Sequence, residues 1–145
     1  MIKEIYGNLF DYKDKYYLVH CISADFALGA GIAVQFIKEY DMRNKLKEKY
    51  PYYVFDKGDC ILIDNVFNLI TKEKCYQKPT YSDLRSSLVI LKTMCLERKI
   101  NKLAMPLIGC GIDNLDWDLV YRMIDEYFKD SGIDVLIVRW GKSNV

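Results

Sequence analysis

Residues 103–116 read LAMPLIGCGIDNLD, and this stretch indicates the fold class. Residues 103–108 are apolar and form a run of the length expected for a buried strand. The loop Gly109-Cys110-Gly111 follows directly, and Asp116 then stands where a helix N-cap is expected. A strand that passes through a glycine loop into a helix is typical of α/β proteins.

The rest of the chain alternates in the same way between short apolar runs and segments with helical periodicity. Further strands are predicted at residues 2–6, 16–21, 60–63, 66–71 and 134–140. Helices are predicted from 31 to about 49, after Pro79 with Thr80 as N-cap, and from Asp116 to Ser131. We expect an α/β fold whose largely parallel sheet has helices on both faces. Because no crossover helix separates the early strands, part of the sheet should be antiparallel.

Length and composition favour a single soluble domain that spans the whole chain, residues 1–145. The 145 residues are 51% apolar and 28% charged, with a formal net charge of +1. This charge neither requires nor excludes a nucleic-acid partner, because extended phosphate contact usually needs a basic protein. No apolar run reaches the roughly 20 residues of a membrane span, and the first residues do not resemble a secretion signal. The expected location is therefore the cytoplasm.

The cysteine pattern does not favour a metal site. No two of the five cysteines form a C-x-x-C pair, and His20 is the only histidine. We therefore predict reduced, mostly buried thiols and no zinc. His20 is interpreted as a structural residue at a strand end rather than as a base.

Two glycine loops stand at the predicted carboxyl ends of strands, where ligands bind in sheets of this kind. Gly29-Ala30-Gly31 opens the first helix, and Gly109-Cys110-Gly111 is the second loop. Either loop alone could be a tight turn, but together they could hold the two phosphates of a diphosphate. Neither matches the P-loop or the G-x-G-x-x-G dinucleotide motif.

Four polar side chains near these loops are candidates for chemistry. Lys72 follows the strand predicted at 66–71, and Asp113 follows the second glycine loop. A lysine made neutral by burial can attack a sugar carbon, and a nearby carboxyl group can move protons. Taken singly, they could be a solvated charge and a turn residue. Ser23 could bind a ligand or cap a turn, and Asn8 could contact a base edge or stabilise its own turn.

Five motifs that include these residues occur in order between about Gly7 and Trp140. They are HCIS at 20–23, GAGIA at 29–33, LITK at 69–72, KPTY at 78–81 and MPLIGCGID at 105–113. Together they resemble the terminal ADP-ribose protein glycohydrolase branch of the macrodomains. The resemblance implies a mixed six-stranded sheet between helices, with ADP-ribose in a cleft on its crest. It implies no metal and no redox cofactor.

The resemblance also implies roles for individual residues. Lys72 would attack the anomeric carbon of the distal ribose and form a transient lysyl–sugar adduct. Asp113 would help to expel the modified group, open the sugar and resolve the adduct. The implied ligand contacts are Leu9, Ser23, Gly29, Ala30, Gly31, Leu107, Ile108, Gly109, Cys110, Gly111 and Ile112.

Two positions concern the adenosine end of the implied cleft. Asn8 stands where many macrodomains have an aspartate that accepts a hydrogen bond from adenine, and an asparagine oxygen can still accept one. Trp140 is expected nearby, where it could pack on the base or fill the end of the last strand.

Three functions fit the sequence. The first is a hydrolase that removes ADP-ribose from a protein carboxylate, an acetyl group or a DNA base, and a single flipped base needs little basic surface. The second is a non-catalytic ADP-ribose reader, which would need the glycine loops but not the lysine and aspartate. The third is a phosphatase of ADP-ribose-1''-phosphate, which needs no lysine nucleophile. A toxin-type ADP-ribosyltransferase is a candidate partner of the first.

Overall fold

The computed structural model describes residues 1–52 and 54–142. Its strands are β1 (Ile2–Gly7), β2 (Tyr17–Ser23), β3 (Cys60–Ile63), β4 (Val66–Lys72), β5 (Lys102–Met105) and β6 (Asp134–Trp140). Its helices are α1 (Ile32–Tyr40), α2 (Met42–Lys49), α3 (Tyr81–Arg98) and α4 (Trp117–Phe128), with a 3-10 helix at Leu9–Tyr12.

The strands form one six-stranded sheet in the order β1-β6-β5-β2-β4-β3. β3 pairs with β4 in antiparallel orientation, and the other neighbouring pairs are parallel. The mixed six-stranded sheet is thus confirmed. The early strands β1 and β2 are not neighbours, and the antiparallel part of the sheet is its β3 edge.

Apolar side chains cover both faces of the sheet, as expected for a largely parallel sheet. Because side chains alternate along a strand, Leu18 and Ile22 of β2 pack in the cluster that includes α1 and α2. Val19, between them in sequence, packs in the cluster of α3 and α4. The sheet is therefore packed between two helical layers.

The predicted starts of α3 and α4 are confirmed. The Thr80 hydroxyl accepts a hydrogen bond from the Asp83 backbone N–H at 3.1 Å and donates to the Asp83 carboxylate at 2.7 Å. Asp116 Oδ1 accepts from the Asp118 N–H at 2.9 Å. Each cap satisfies an N–H that the first helical turn leaves unpaired.

The prediction of one helix from 31 to about 49 is wrong. Asp41 has a φ of +54°, in the left-handed region, and separates α1 from α2. This residue ends α1, because a left-handed residue cannot continue a right-handed helix. The change of direction lets Met42 and Leu46 of α2 become fully buried beside Phe36 of α1.

The prediction of a strand at 103–108 is wrong at its end. β5 stops at Met105, since Pro106 has no N–H to donate to a neighbouring strand. The chain then turns, with Ile108 N–H donating to the Pro106 carbonyl at 2.8 Å. Residues 106–108 consequently belong to the loop that borders the cleft.

Cys60 and Cys95 are buried, Cys21 and Cys110 are partly buried and Cys75 is exposed, and all five are free thiols in the described chain.

Over the residues that the structure describes, no helix combines the length and apolar character needed to cross a membrane.

Candidate active site

The carboxyl ends of the parallel strands open into one cleft with a volume of about 630 Å³. Residues 28–33 border it on one side and residues 106–113 on the other, so both predicted glycine loops meet at the same site. Lys72 and Ser23 lie between these loops, at the ends of β4 and β2. A cleft of this size suits a small-molecule ligand.

Lys72 and Asp113 form an ion pair in this cleft. Lys72 Nζ donates a hydrogen bond to Asp113 Oδ1 at 2.8 Å. The two side chains are only 13% and 17% exposed, so they are largely shielded from water. Transfer of a proton along this hydrogen bond from the Lys72 ammonium to the carboxylate would leave a neutral amine, which is a nucleophile.

The second glycine loop brings Asp113 back toward β4. Gly109 has a φ of +73°, and a Cβ at this position would lie 2.8 Å from the Leu115 side chain. The turn is closed by hydrogen bonds from Leu115 N–H to the Gly109 carbonyl at 2.8 Å and from Asn114 N–H to the Gly111 carbonyl at 3.1 Å. A glycine is needed at 109 because both the conformation and the close approach disfavour a side chain.

The segment that leads into the first glycine loop is fixed by burial and by hydrogen bonds from Arg43. Phe26 and Leu28 are almost fully buried, although both have positive φ angles. Arg43 of α2 donates from Nε and Nη2 to the Ala27 carbonyl, at 2.8 and 2.6 Å. Gly31 N-caps α1 without a side-chain hydrogen bond in the described structure. The first N–H groups of α1 can therefore bind an anion.

Ser23 contacts a residue that sequence reasoning missed. Its hydroxyl donates to Asp25 Oδ1, which also accepts from the Ala27 N–H at 3.2 Å. Asp25 Oδ2 accepts from the Cys75 N–H at 3.2 Å. Burial raises the pKa of Asp25, but the hydrogen bonds from Ser23, Cys75 and Ala27 outweigh it, so the pKa lies below its usual value. An aspartate two residues after Ser23 and two before Ala27 is the pattern of a side chain that caps a turn.

The far end of the cleft is formed by β1, β6 and the 3-10 helix. Leu9 lines it and is nearly fully buried, whereas Trp140 lines it with 79% of its surface exposed. Trp140 therefore does not fill the end of the last strand. Sequence reasoning missed Tyr6 and Arg139 here, and it missed the exposed Tyr76, which also lines the cleft.

Asn8 is not among the described residues that line the cleft. Its Oδ1 accepts a hydrogen bond from the Phe10 N–H at 3.0 Å and caps the 3-10 helix. Asn8 thus stabilises its own turn, which was one of the two roles open to it, and its contact with adenine stays a prediction.

The other candidates for a nucleophile or a base are unsuited to the role. Burial raises the pKa of Cys21 to about 12, with the charge of Asp113 adding to the effect, and burial raises that of Cys110 to about 11. Both thiols stay protonated at neutral pH and are poor nucleophiles. His20 is fully buried in the core. In residues 1–52 and 54–142, no cluster of His, Cys, Asp and Glu could hold a metal ion.

No protein-family model matches the chain. The chain is 37% identical over 140 residues to the ADP-ribose glycohydrolase OARD1 of Bos taurus, and the match covers 94% of this chain and 90% of that protein. The macrodomain of Mycobacterium tuberculosis DarG superposes with a TM-score of 0.85 at 23% identity, over 95% of this chain and 97% of that one.

A third similar protein is Thermosipho africanus DarTG, whose structure was solved in complex with ADP-ribose. It superposes with a TM-score of 0.82 at 17% identity, over 95% of this chain and 41% of that one. The two structural similarities confirm the expected macrodomain fold.

Proposed function

Because the chain belongs to the OARD1 family of ADP-ribose glycohydrolases, we propose that it binds ADP-ribose and cuts it from a modified group. The observation that carries this proposal is the contact of Lys72 Nζ with Asp113 Oδ1 at 2.8 Å, inside a cleft bordered by two glycine loops. A reader of ADP-ribose needs the loops alone. The paired amine and carboxylate favour a hydrolase.

The cleft supplies different groups along its length. The start of α1 and the loop 29–31 offer backbone N–H groups to the diphosphate. Residues 107–112 border the position proposed for the distal ribose, next to Lys72. Trp140 offers an exposed aromatic face at the other end, where adenine would stack. Leu9 supplies an apolar floor there.

The proposed reaction has two steps at the anomeric carbon of the distal ribose. Asp113 first takes a proton from the Lys72 ammonium, and the Nζ lone pair attacks the carbon. The bond from this carbon to the modified group breaks, and the departing group takes the proton from Asp113. A lysyl–sugar adduct remains.

The second step restores the enzyme. Asp113, again a carboxylate, takes a proton from a water molecule that attacks the same carbon. The bond from carbon to Lys72 Nζ breaks, the proton returns to the amine, and free ADP-ribose is released. No metal and no redox cofactor takes part in either step.

We further propose ADP-ribosylated protein carboxylates and ADP-ribosylated DNA bases as the substrates to compare, with O-acetyl-ADP-ribose as a small third substrate. Each carries a leaving group on the anomeric carbon or near it, within reach of the Lys72–Asp113 pair. An ADP-ribosyltransferase must produce the macromolecular substrates, so a cognate toxin of that class would be a functional partner.

The test measures ADP-ribose released from a carboxylate-linked ADP-ribosylated protein and from an ADP-ribosylated DNA oligonucleotide. Lys72→Ala and Asp113→Ala should each lower the rate about 100-fold or more. Lys129→Ala and Asp130→Ala are matched controls, because both residues lie on the exposed surface beyond α4. The controls should keep the wild-type rate.

Two results would replace this proposal by its alternatives. If the wild type binds ADP-ribose but releases none from either substrate, the protein is a reader. If Lys72→Ala still removes phosphate from ADP-ribose-1''-phosphate at the wild-type rate, the phosphatase is favoured.

A further inference from the structure

The carboxylate of Asp25 connects two loops that border the cleft. Oδ1 accepts hydrogen bonds from the hydroxyl of Ser23, the last residue of β2, and from the Ala27 N–H in the loop before α1. Oδ2 accepts from the Cys75 N–H, fifty positions further along the chain. We propose that Asp25 is a positioning residue, which orients the Ser23 hydroxyl and fixes the backbone that follows Lys72. This inference rests on the proposed function.

The strand register places Ser23 beside Lys72. The pairing of β2 with β4 shifts between Ile22 and Ser23, so that Ser23 stands opposite Lys72. The Ala24 N–H donates to the Lys72 carbonyl at 2.9 Å just beyond the shift. Irregularities of this kind re-aim side chains next to active sites. Because Ser23 and Lys72 are paired across the two strands, a residue that fixes Ser23 acts directly beside the proposed nucleophile.

The bond to Asp25 also fixes what the Ser23 hydroxyl can do. A hydroxyl has one proton to donate, and here Asp25 accepts it. The oxygen lone pairs of Ser23 are then left for donors in the cleft. The donors that fit are the hydroxyl groups of a ribose and the Lys72 ammonium. Asp25 can impose this direction because its lowered pKa keeps it ionised, and a carboxylate only accepts.

The second oxygen of Asp25 attaches the loop after β4 to the cleft. The Gln77 N–H donates to the Lys74 carbonyl at 3.0 Å, and the Lys74 N–H donates to Gln77 Oε1 at 2.8 Å. These bonds close a turn, and the bond from Cys75 to Asp25 attaches this turn to the cleft. The attachment point is three residues from Lys72, so the loss of this bond would displace the nucleophile, while Arg43 would still hold the Ala27 carbonyl next to the diphosphate site.

Asp25→Asn is the variant that tests the inference. Asparagine has the same shape, but one oxygen becomes an NH₂ group, so the variant can keep the bonds from Ser23 and Ala27 or the bond from Cys75, but not both sets. Asp25→Ala removes all three bonds. We expect the single-turnover rate of ADP-ribose release to fall about 10- to 100-fold, as for a displaced catalytic group. The Kd for free ADP-ribose should rise by a smaller factor than the rate falls, since the contacts of the diphosphate and adenine do not involve Ser23. Asp130→Asn, on the exposed surface, is the control and should change neither.

Two further measurements separate positioning from general destabilisation. If Asp25 acts through Ser23, the losses in Ser23→Ala and Asp25→Asn should combine less than multiplicatively in the double variant. Hydrogen exchange of the Cys75 amide should be faster in Asp25→Ala, which removes both oxygens, while exchange in the core strand β2 stays the same. An unchanged release rate, or unchanged exchange at Cys75, overturns the inference. A wild type that releases no ADP-ribose counts against the proposed function instead, and exchange at Cys75 then decides on Asp25 alone.

Discussion

His20 lies in the core. One nitrogen of its ring is hydrogen-bonded, and the other has no hydrogen-bond partner among the described residues. Its Nε2 lies 2.6 Å from Asn68 Oδ1, and its ring stacks on Phe36 at 3.8 Å between centroids. The Asn68 amide nitrogen donates to the Ile61 carbonyl, so its oxygen faces His20 and Nε2 carries the proton. Among the described residues, no group hydrogen-bonds to Nδ1. A second proton would place an unpaired charged donor in an apolar site, so burial lowers the pKa of His20 to about 4.

This lowered pKa predicts a loss of stability in mild acid. A histidine in the unfolded chain has a pKa near 6.5. Below that pH the unfolded chain therefore binds a proton at His20 that the folded chain does not bind until about pH 4. The free energy of unfolding should therefore fall by about 2 kcal/mol between pH 7 and pH 5 through His20 alone, and further until about pH 4. Urea unfolding of wild type and His20→Gln at both pH values measures the difference. Equal pH dependence in the two proteins would contradict the assignment.

Trp140 is the residue that we expect to read the adenine ring. Its exposed side chain lines the cleft, and stacking on a base is worth about 1–3 kcal/mol. Trp140→Ala should therefore raise the Kd for ADP-ribose about 5- to 150-fold, whereas Trp140→Phe should keep most of the affinity. Calorimetric titration measures both. A Kd for Trp140→Ala equal to that of the wild type would place adenine elsewhere.

At the scale of elements, the loop between β5 and α4 decides where Asp113 stands. Gly109 and Gly132 both have positive φ angles, of +73° and +78°. Only at Gly109 would a Cβ meet a side chain, that of Leu115, while at Gly132 nothing described lies within 4 Å. Alanine at either position should cost about 1–2 kcal/mol in backbone strain. Only Gly109→Ala should also displace the loop and lower the rate of release.

Denaturant unfolding and the release assay, applied to both glycine variants, separate these effects. If Gly132→Ala lowers the release rate as much as Gly109→Ala does, general instability explains the loss. If Gly109→Ala retains full activity, Leu115 moves aside and the loop tolerates the methyl group.

Elements whose boundaries depend on nearby residues could be predicted from the sequence. Thr80 and Asp116 were identifiable as caps because each bonds a backbone N–H two or three positions away. The break at Asp41 could not be predicted, since no glycine or proline marks it and burial of Met42 and Leu46 against the sheet accompanies it. Local chemistry is visible in a sequence, and packing between distant segments is not.

The same distinction holds for the site. Lys72 and Asp113 could be assigned to one rim because each follows a strand whose carboxyl end faces the same way. The distance between their side chains could be obtained only from the folded structure. Asp25 was missed because its partner at Cys75 lies fifty residues away, and only the pairing of β2 with β4 brings the two together.

At the scale of the whole molecule, the cleft joins parts of the chain that are far apart in sequence. Residues 28–33 form one wall and residues 106–113 form the other, with the ends of β2 and β4 between them and the end of β6 at the far end. A ligand that spans both walls binds only the folded chain, so it must stabilise the fold as a unit. At a concentration of 100 times Kd, ADP-ribose should raise the free energy of unfolding by about 2.7 kcal/mol.

For a chain of this length, that gain corresponds to a rise in Tm of about 5–10 °C. AMP is the matched control ligand, because it lacks the second phosphate and the distal ribose and cannot reach Lys72. At the same concentration its weaker binding should give a much smaller rise. Lys72→Ala should keep the rise with ADP-ribose, since the diphosphate and adenine contacts remain, while it loses the reaction. An equal rise with AMP and ADP-ribose would show that the ligand does not bridge the two walls, and the placement of the distal ribose beside Lys72 would then be wrong.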